Sequence, residues 1–304
     1  MSPASAVVLA DLPLRGRGGE PVDLRRTLCS HGVASLLPNR VDQDRGILET
    51  TVLSCGGQAR SLRLASGDPG TVRVLLLDGP ASEVDRRDLL AVARRILGLD
   101  VDLSGFYARA ARDPPLAWIT SGAGRMMHSP AVFDDVVKTI CTTNCSWSAT
   151  ERMVGALVQC LGETAPGGGR AFPTAAALAA APDDFLRGVA RCGYRASYLQ
   201  GLATEVAAGR LRLEELRRPE LSDAEVERTL LDLPGVGPYA AAHIMLTSLG
   251  RYRPLILDSW TRPAYAKLTG RRTSDAALRR RFAKYGDFAG LAFWLTVTRD
   301  WVDA

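Results

Sequence analysis

The stretch from residue 222 to residue 248 constrains this chain most, because it predicts two helices joined by a very tight turn. Residues 222–225 (SDAE) have the spacing of a capping box, which marks the start of a helix. Residues 233–237 (LPGVG) interrupt that helix, and an alanine-rich apolar stretch follows them. Gly235 and Gly237 permit backbone conformations that a side chain would forbid. We therefore expect a second helix whose first amides stay accessible.

The accessible start of this second helix is a candidate phosphate site, since free amides and the helix dipole both attract anions. A backbone contact of this kind positions a protein on nucleic acid and reads no base sequence. The residues that we expect to contact a nucleic-acid backbone are Leu233, Gly235, Val236 and Gly237.

Asp258 is the main candidate for chemistry. It follows the apolar residues 254–257 (PLIL) and precedes Ser259 and Trp260. The sequence leaves two interpretations of its carboxylate open. Asp258 either caps the helix that begins near Ser259, or holds a fixed negative charge beside a reacting centre. One carboxylate can serve both purposes.

The glycine turn followed by Asp258 resembles the helix-hairpin-helix, Gly/Pro-rich loop and aspartate signature of base-excision DNA glycosylases. Residues 133–144 (FDDVVKTICTTN) and 193–196 (GYRA) resemble the 8-oxoguanine and 3-methyladenine II branches of that superfamily. The resemblance covers roughly residues 120–304, and the first 120 residues match only in general character. It implies an enzyme that flips a damaged base out of duplex DNA and hydrolyses the N-glycosidic bond with Asp258.

Tyr239 is the main departure from the 8-oxoguanine branch, which has a lysine nucleophile at this position. A lysine there forms a Schiff base with the sugar and permits strand cleavage, whereas tyrosine cannot form an imine. The resemblance therefore implies a monofunctional enzyme that uses water. We expect Lys138 and Lys267, which lie nearby in the sequence, to be solvated helix lysines. Two alternatives stay open: a glycosylase with lyase activity through another lysine, and a non-catalytic module that binds DNA lesions.

Asn144, Tyr194 and Arg195 match family positions that fill the space left by the flipped base and contact its orphan partner. The competing interpretation makes Asn144 an ordinary helix end and the other two a turn with a surface arginine. The family's asparagine run is broken here after Asn144, and its downstream arginine aligns with Ala149. Strict selection for an opposite cytosine is therefore not expected.

The resemblance also implies a base pocket, for which the candidate residues are Tyr239, His243, Trp260, Phe293 and Trp294. Phe293 stands where the 8-oxoguanine branch has a glutamine that reads the base edge. An aromatic ring stacks on an electron-poor base but cannot read its hydrogen bonds, which favours alkylated purines. The alternative is that Phe293 and Trp294 are core residues and that His243 is a packed histidine.

Composition adds few further constraints. The chain has 304 residues, a net charge of +5 and a pI of about 9.0, which is compatible with a polyanionic partner. We read no signal peptide and no membrane span, and expect a cytoplasmic location in a bacterium, at the nucleoid, or a nuclear location in a eukaryote. The six cysteines form no CxxC pair and are expected to be buried free thiols.

We expect no cofactor and no catalytic metal, apart from a candidate site for a monovalent cation at the hairpin carbonyls. The expected partner is damaged double-stranded DNA, bound by a monomer.

The predicted fold class is α+β. An N-terminal antiparallel β-sheet domain with packed helices (residues 1–120) precedes an all-helical glycosylase domain (residues 121–304). Strands are predicted at 47–53, 61–64 and 72–77, and a helix at 84–97. Ser129-Pro130 predicts the start of the helical part. Helical patterns then cover 148–161, 183–191, 196–208, 223–232, 238–248, 259–268, 274–284 and 287–300.

Overall fold

A computed structural model of the chain describes residues 6–302. Within that range the strands near the N-terminus form one antiparallel sheet of five, in the order β1-β5-β4-β3-β2. The strand bounds are β1 Val7–Pro13, β2 Arg40–Asp42, β3 Ile47–Leu53, β4 Ala59–Ser66 and β5 Thr71–Leu76. The predicted antiparallel sheet is confirmed, and β1 and β2 are additional to the three predicted strands.

Helices make up most of the remaining chain, which confirms the α+β class. Their bounds are α1 Leu24–Leu28, α2 Glu83–Ile96, α3 Ser104–Ala110, α4 Val132–Thr142, α5 Trp147–Leu161, α6 Ala175–Ala179, α7 Arg195–Ala207, α8 Asp223–Leu231, α9 Pro238–Thr247, α10 Thr261–Thr269, α11 Asp275–Phe282 and α12 Ala289–Val297. Short 3₁₀ segments cover Gly32–Ser35, Pro114–Ser121, Leu213–Arg217, Ala283–Phe288 and Arg299–Trp301, and a π turn covers Phe185–Val189. No helix in this part of the chain is both long enough and apolar enough to cross a bilayer.

The sheet is covered on one face by α2. Alternate residues of β5, such as Val72 and Val74, are fully buried and share a core with Leu89 and Ala93 of that helix. Buried apolar residues recur every second position in the strand and every third or fourth position in the helix. Both elements were predicted from these repeats.

Helix α9 lies between two further cores and is predominantly apolar, with His243 and Thr247 as its buried polar residues. Ala241 and Ile244 pack with α4, α5 and α7, whereas Ala242 and Leu246 pack with α3 and with α10 to α12. A helix that is hydrophobic all round is buried in this way. Because α9 begins at the glycine turn, the two cores hold that turn in place.

Helix α3 packs with the C-terminal helices, although it lies in the first 120 residues. Phe106 and Ile119 share a core with Phe293 and Leu295 of α12. The predicted domain boundary after residue 120 stays a prediction, and the packing around it is continuous.

The start of α4 differs from the predicted start at Ser129-Pro130. The helix begins at Val132, after Ala131. Ser129 is used differently: its hydroxyl accepts a hydrogen bond from Lys138 Nζ at 3.0 Å, and its amide donates to Asp135 Oδ2 at 3.2 Å. The expectation that Lys138 is solvated is wrong, because this side chain is almost completely buried.

Candidate active site

The α8–α9 hairpin has the predicted form. The capping box at the start of α8 is confirmed: the Ser222 amide donates to Glu225 Oε2 at 2.8 Å, and the Glu225 amide donates to Ser222 Oγ at 3.3 Å. Gly235 has a φ of +85°, and a Cβ added there would lie 2.8 Å from the Tyr198 ring. Position 235 therefore requires glycine for two reasons: its φ is positive, and the Tyr198 ring leaves no room for a side chain.

Gly237 is under no such constraint. Its φ of −95° suits any residue, and a Cβ added there would meet open space. The expectation that the Gly237 backbone excludes a side chain is thus wrong. A methyl group at this position would point away from the protein, toward whatever approaches the hairpin.

The amides of the hairpin divide into bonded and unbonded groups. The Val236 amide donates to the Leu233 carbonyl at 3.0 Å, so it stabilises the turn and is not the phosphate donor that was predicted. The first bond of α9 runs from the Ala241 amide to the Gly237 carbonyl at 2.9 Å. The amides of residues 237, 239 and 240 therefore precede the helical ladder and are the remaining donors. Leu233 and Val236 anchor the turn through buried side chains.

Asp258 is held rigidly at the start of α10. Its Oδ1 accepts hydrogen bonds from the Trp260 amide at 2.9 Å and the Thr261 amide at 2.6 Å. Its own amide donates to Thr261 Oγ1 at 3.0 Å. Within residues 6–302 no hydrogen bond engages Oδ2. Capping thus occupies one carboxylate oxygen and leaves the second one for chemistry.

Asp258 and the hairpin line the same cleft, which has a volume of about 710 Å³. The predicted residues that line it are Asn144, Tyr194, Gly235, Val236, Gly237, Tyr239 and Asp258. Thr142, Thr143, Cys145, Tyr198, Pro238, Ala240 and Ser259 complete the lining and were not predicted. Tyr198 follows Tyr194 by four residues, one helical turn, and this spacing is the signal that could have identified it.

Tyr239 lies beside the catalytic candidate in this cleft. Its hydroxyl is 3.5 Å from Thr142 Oγ1, and its ring centroid is 5.9 Å from that of His243. Burial raises the pKa of Tyr239, and the negative charge of Asp258 acts in the same direction. Tyr239 is therefore a neutral phenol at physiological pH.

Arg195 lies behind the cleft lining and is not a surface arginine. Its buried guanidinium donates to the Thr143 carbonyl at the end of α4 and stacks on the Tyr194 ring, 4.5 Å from the centroid. Tyr194 is 49% exposed, and Asn144 is exposed with a φ of +48°. Arg195 thus contacts Tyr194 and the residue before Asn144, and does not itself protrude.

An aromatic cluster follows Asp258. Trp260 is 41% exposed, and its ring lies 5.8 Å from Trp294 and 5.2 Å from Trp301. Trp294 is buried, and its indole Nε1 donates to the Ser30 carbonyl at 2.8 Å. Trp301 was not identified from the sequence, because it follows the last helix and no local pattern distinguishes it.

Phe293 does not line the cleft, in contrast to its predicted place in the base pocket. The side chain is fully buried, with its ring 5.9 Å from Tyr265 and 5.3 Å from Phe282. It is a core residue of the α10–α12 layer, as the alternative interpretation held.

Behind Tyr239, where α4 packs against α9, lies a buried polar cluster, composed of His31, His128, Asp135, Lys138 and His243. The His31 and His243 rings are 5.8 Å apart, and His31 Nε2 is 2.7 Å from the Met127 carbonyl. Burial lowers the pKa of His128 to about 4 and that of His243 to about 3, and also lowers that of His31. All three histidines are therefore neutral at physiological pH, and His243 is a packed histidine behind the cleft.

The lysines of the chain are all placed away from the cleft lining. The sequence contains only three: Lys138, Lys267 and Lys284. Lys138 is buried beside Ser129, Lys267 is exposed in the last turn of α10, and Lys284 pairs with Asp113 at 2.6 Å. This scarcity is visible in the sequence and is itself a signal about the chemistry.

Candidate metal ligands and thiols are scattered through the described residues. No group of three or more His, Cys, Asp or Glu side chains there has a metal-binding arrangement. All six cysteines are free, but only Cys141 and Cys192 are buried, so the expectation of six buried thiols is wrong for the other four. The cation predicted at the hairpin carbonyls stays a prediction.

Comparison with known proteins gives a consistent result. No family model matches the chain. The DNA-3-methyladenine glycosylase of Bacillus subtilis (strain 168) is 22% identical over 175 residues, which span 56% of this chain and 57% of that relative. The match thus covers little more than half of the curated relative.

Solved structures match over nearly the whole length. The 3-methyladenine DNA glycosylase from Archaeoglobus fulgidus has a TM-score of 0.75 at 21% identity, covering 96% of this chain and 98% of that one. The 8-oxoguanine glycosylase/lyase of Clostridium acetobutylicum, in complex with double-stranded DNA containing cytosine opposite 8-oxoguanine, has a TM-score of 0.71 at 19% identity, covering 100% and 99%.

One neighbour is named a 3-methyladenine glycosylase and the other an 8-oxoguanine glycosylase/lyase, so the likeness concerns architecture. Both matches extend over nearly the full length of the two chains, so they include the N-terminal sheet of this chain as well as its helical part. The chain therefore has the fold of the helix-hairpin-helix DNA glycosylases.

Proposed function

We propose that this protein is a monofunctional DNA glycosylase that hydrolyses the N-glycosidic bond of a damaged base flipped out of duplex DNA. The observation that carries the proposal is the Asp258 carboxylate, bound through one oxygen to α10 and placed in the same cleft as the hairpin.

Asp258 supplies the electrostatic part of the reaction. Departure of the base leaves positive charge on the sugar in an oxocarbenium-like transition state. A carboxylate that two amides already hold in place stabilises this charge without reorganising at the moment of reaction. Its second oxygen is suited to orienting the attacking water.

The hairpin and the α4–α5 turn position the DNA. The amides of residues 237, 239 and 240 bind a backbone phosphate, because they lie at the positive end of α9. Tyr194 and Asn144 enter the space that the flipped base leaves. Arg195 supports them through the Tyr194 ring and the Thr143 carbonyl, which precedes Asn144. One copy of the chain contains all these groups, so we propose that it acts as a monomer.

The positions of the amines support the proposal that the enzyme has no lyase activity. Schiff-base formation needs a neutral amine at the sugar, and the three lysines of the sequence are not among the described residues that line the cleft. Tyr239 occupies the position beside Asp258 and offers only a phenol.

Alkylated purines are the substrate class that the surroundings favour. Tyr239 lines the cleft beside Asp258, and the exposed ring of Trp260, two residues after Asp258, contacts Trp294 and Trp301. The neutral His243 adds no positive charge. Aromatic faces attract the cationic ring of an alkylated purine. Two of the proteins to which the chain is similar are named 3-methyladenine glycosylases.

Base release from duplexes that each carry one alkylated, oxidised, deaminated or bulky base tests this proposal. We expect release of an alkylated purine, an intact abasic strand and no adduct after borohydride treatment. A borohydride-trapped adduct would establish a lyase instead. Tight lesion binding without any release would favour the non-catalytic alternative.

A further inference from the structure

The positive charge of the chain is concentrated in one segment far from the hairpin in the sequence. Residues 262–284, which span α10, the following turn and α11, contain eight arginine and lysine residues and one acid. The segment therefore carries a formal charge of +7, whereas the whole chain carries +5. The remainder of the protein is slightly acidic, so the basic pI describes this segment rather than the surface in general.

Six of these cations are exposed and unpaired, and we call them together the basic ledge. Its members are Lys267, Arg271, Arg272, Arg279, Arg280 and Arg281. Within residues 6–302, none of their side chains takes part in an ion pair or a hydrogen bond. The two basic residues that flank them are paired: Arg262 with Asp275 at 2.8 Å, and Lys284 with Asp113 at 2.6 Å.

Arginines elsewhere on the surface are commonly compensated. Arg210 pairs with Glu205 at 2.7 Å, and Arg73 pairs with Asp11 at 2.8 Å. Helix dipoles favour cations in the last turns of α10 and α11. That effect does not account for Arg271 and Arg272, which lie in the turn between the two helices.

The basic ledge is continuous with the cleft through α10. The helix begins where Asp258 binds the amides of Trp260 and Thr261. Its nine residues span about 13 Å at 1.5 Å per residue. Duplex DNA rises about 3.4 Å per base pair, so the length of α10 corresponds to about four base pairs between the nucleotide at Asp258 and the end of the helix that carries Lys267.

We propose that the basic ledge binds the phosphate backbone of the duplex on one side of the lesion, as a second DNA-binding surface beyond the hairpin. The inference rests on the proposed function, because it assigns a further surface to the same DNA. An acidic protein partner is the rival occupant, and the experiment below excludes it or favours it.

The experiment measures binding of an undamaged 20-base-pair duplex over a salt series. The ledge variants are Arg271→Gln with Arg272→Gln, and Arg279→Gln with Arg280→Gln. The control removes the same charge elsewhere, with Arg86→Gln and Arg87→Gln on exposed positions of α2. Each DNA phosphate that a variant no longer neutralises lowers the slope of log affinity against log salt by about 1. We expect each ledge pair to lower the slope by about 1–2 and the control pair to leave it unchanged.

Truncating the duplex on each side of the lesion locates the surface that the ledge binds. We expect truncation of one arm to weaken binding of the native protein and to have little further effect on the ledge variants. Wild-type slopes in both ledge variants, or an equal decrease in the control, would overturn the proposal and favour the acidic protein. Because undamaged DNA is used, failure of the ledge is distinguishable from failure of the glycosylase assignment, which only base release reports.

Discussion

In the cleft, Asp258 lies partly exposed with one oxygen bound to two amides, whereas in the buried polar cluster Asp135 and Lys138 are almost entirely removed from solvent. Both regions lie beside α9 and both contain ionisable groups. Only the cleft combines a carboxylate with space for a ligand. The buried cluster contains more titratable side chains, yet desolvation suppresses the charge of its histidines.

We infer that accessibility, rather than the number of titratable groups, distinguishes the candidate active site from the buried polar cluster. This distinction predicts that substitutions in the buried cluster change stability, whereas substitutions in the cleft change activity. The predictions below test that separation.

The largest effect on stability is expected for Lys138→Met. Lys138 lies near Asp134 and Asp135, and burial is the main cause that lowers its pKa. Removing the amine leaves buried carboxylates without a neighbouring cation, which costs about 3–5 kcal/mol. Urea unfolding measures this decrease. Base release per folded molecule should stay unchanged, and an unfolding free energy close to that of the native protein would contradict the assigned role.

The largest effect on activity is expected for Asp258→Asn. The amide retains an Oδ1 that can accept from Trp260 and Thr261, so the cap of α10 is preserved. Loss of the negative charge should raise the barrier to base release by about 3–4 kcal/mol, by analogy with removal of another electrostatic stabiliser. Single-turnover release and duplex binding are measured together. Normal turnover in a folded variant would remove Asp258 from the mechanism.

The two hairpin glycines form a matched pair with opposite expected outcomes. Gly235→Ala should lower the unfolding free energy by about 1–3 kcal/mol, because its φ is +85° and Tyr198 is close. Gly237→Ala should leave stability unchanged and weaken binding to all duplexes equally, by about 1.5–3 kcal/mol if one amide–phosphate bond can no longer form. Thermal unfolding and anisotropy separate them. A decrease limited to one lesion type would contradict the phosphate role of Gly237.

The smallest expected effect is the change in the free energy of unfolding per pH unit below pH 6.5. The three histidines have pKa values lowered by burial, so below pH 6.5 the unfolded chain binds protons that the folded protein does not. The stability that these neutral histidines allow is therefore present above pH 6.5, and it is lost as the pH falls. Asp134 acts oppositely, because burial raises its pKa to about 7.

His128 and His243, with pKa values of about 4 and 3, outnumber Asp134 by one group, so the free energy of unfolding falls by about 1.4 kcal/mol per pH unit between pH 6 and pH 4.5. His31 acts in the same direction. Urea unfolding at several pH values measures the slope. His243→Gln should make it shallower, and an unchanged slope would show that His243 does not contribute.

The sequence alone determined the hairpin, the capping box of α8, the three central strands and the α+β class. These features depend on residues a few positions apart, such as Ser222 with Glu225, and local geometry decides them. It also singled out Asp258, Tyr239 and Asn144, which the structure brings to one cleft. Their functional roles stay predictions.

Tertiary packing decided which side chains are accessible. Lys138, Arg195 and Phe293 have spacings that suit a surface or a pocket, yet helices distant in sequence bury all three. Burial is a sum over long-range contacts that no local pattern contains. For the same reason only the structure shows that Gly235 needs to be glycine and Gly237 does not, since the Tyr198 ring that makes the difference comes from another helix.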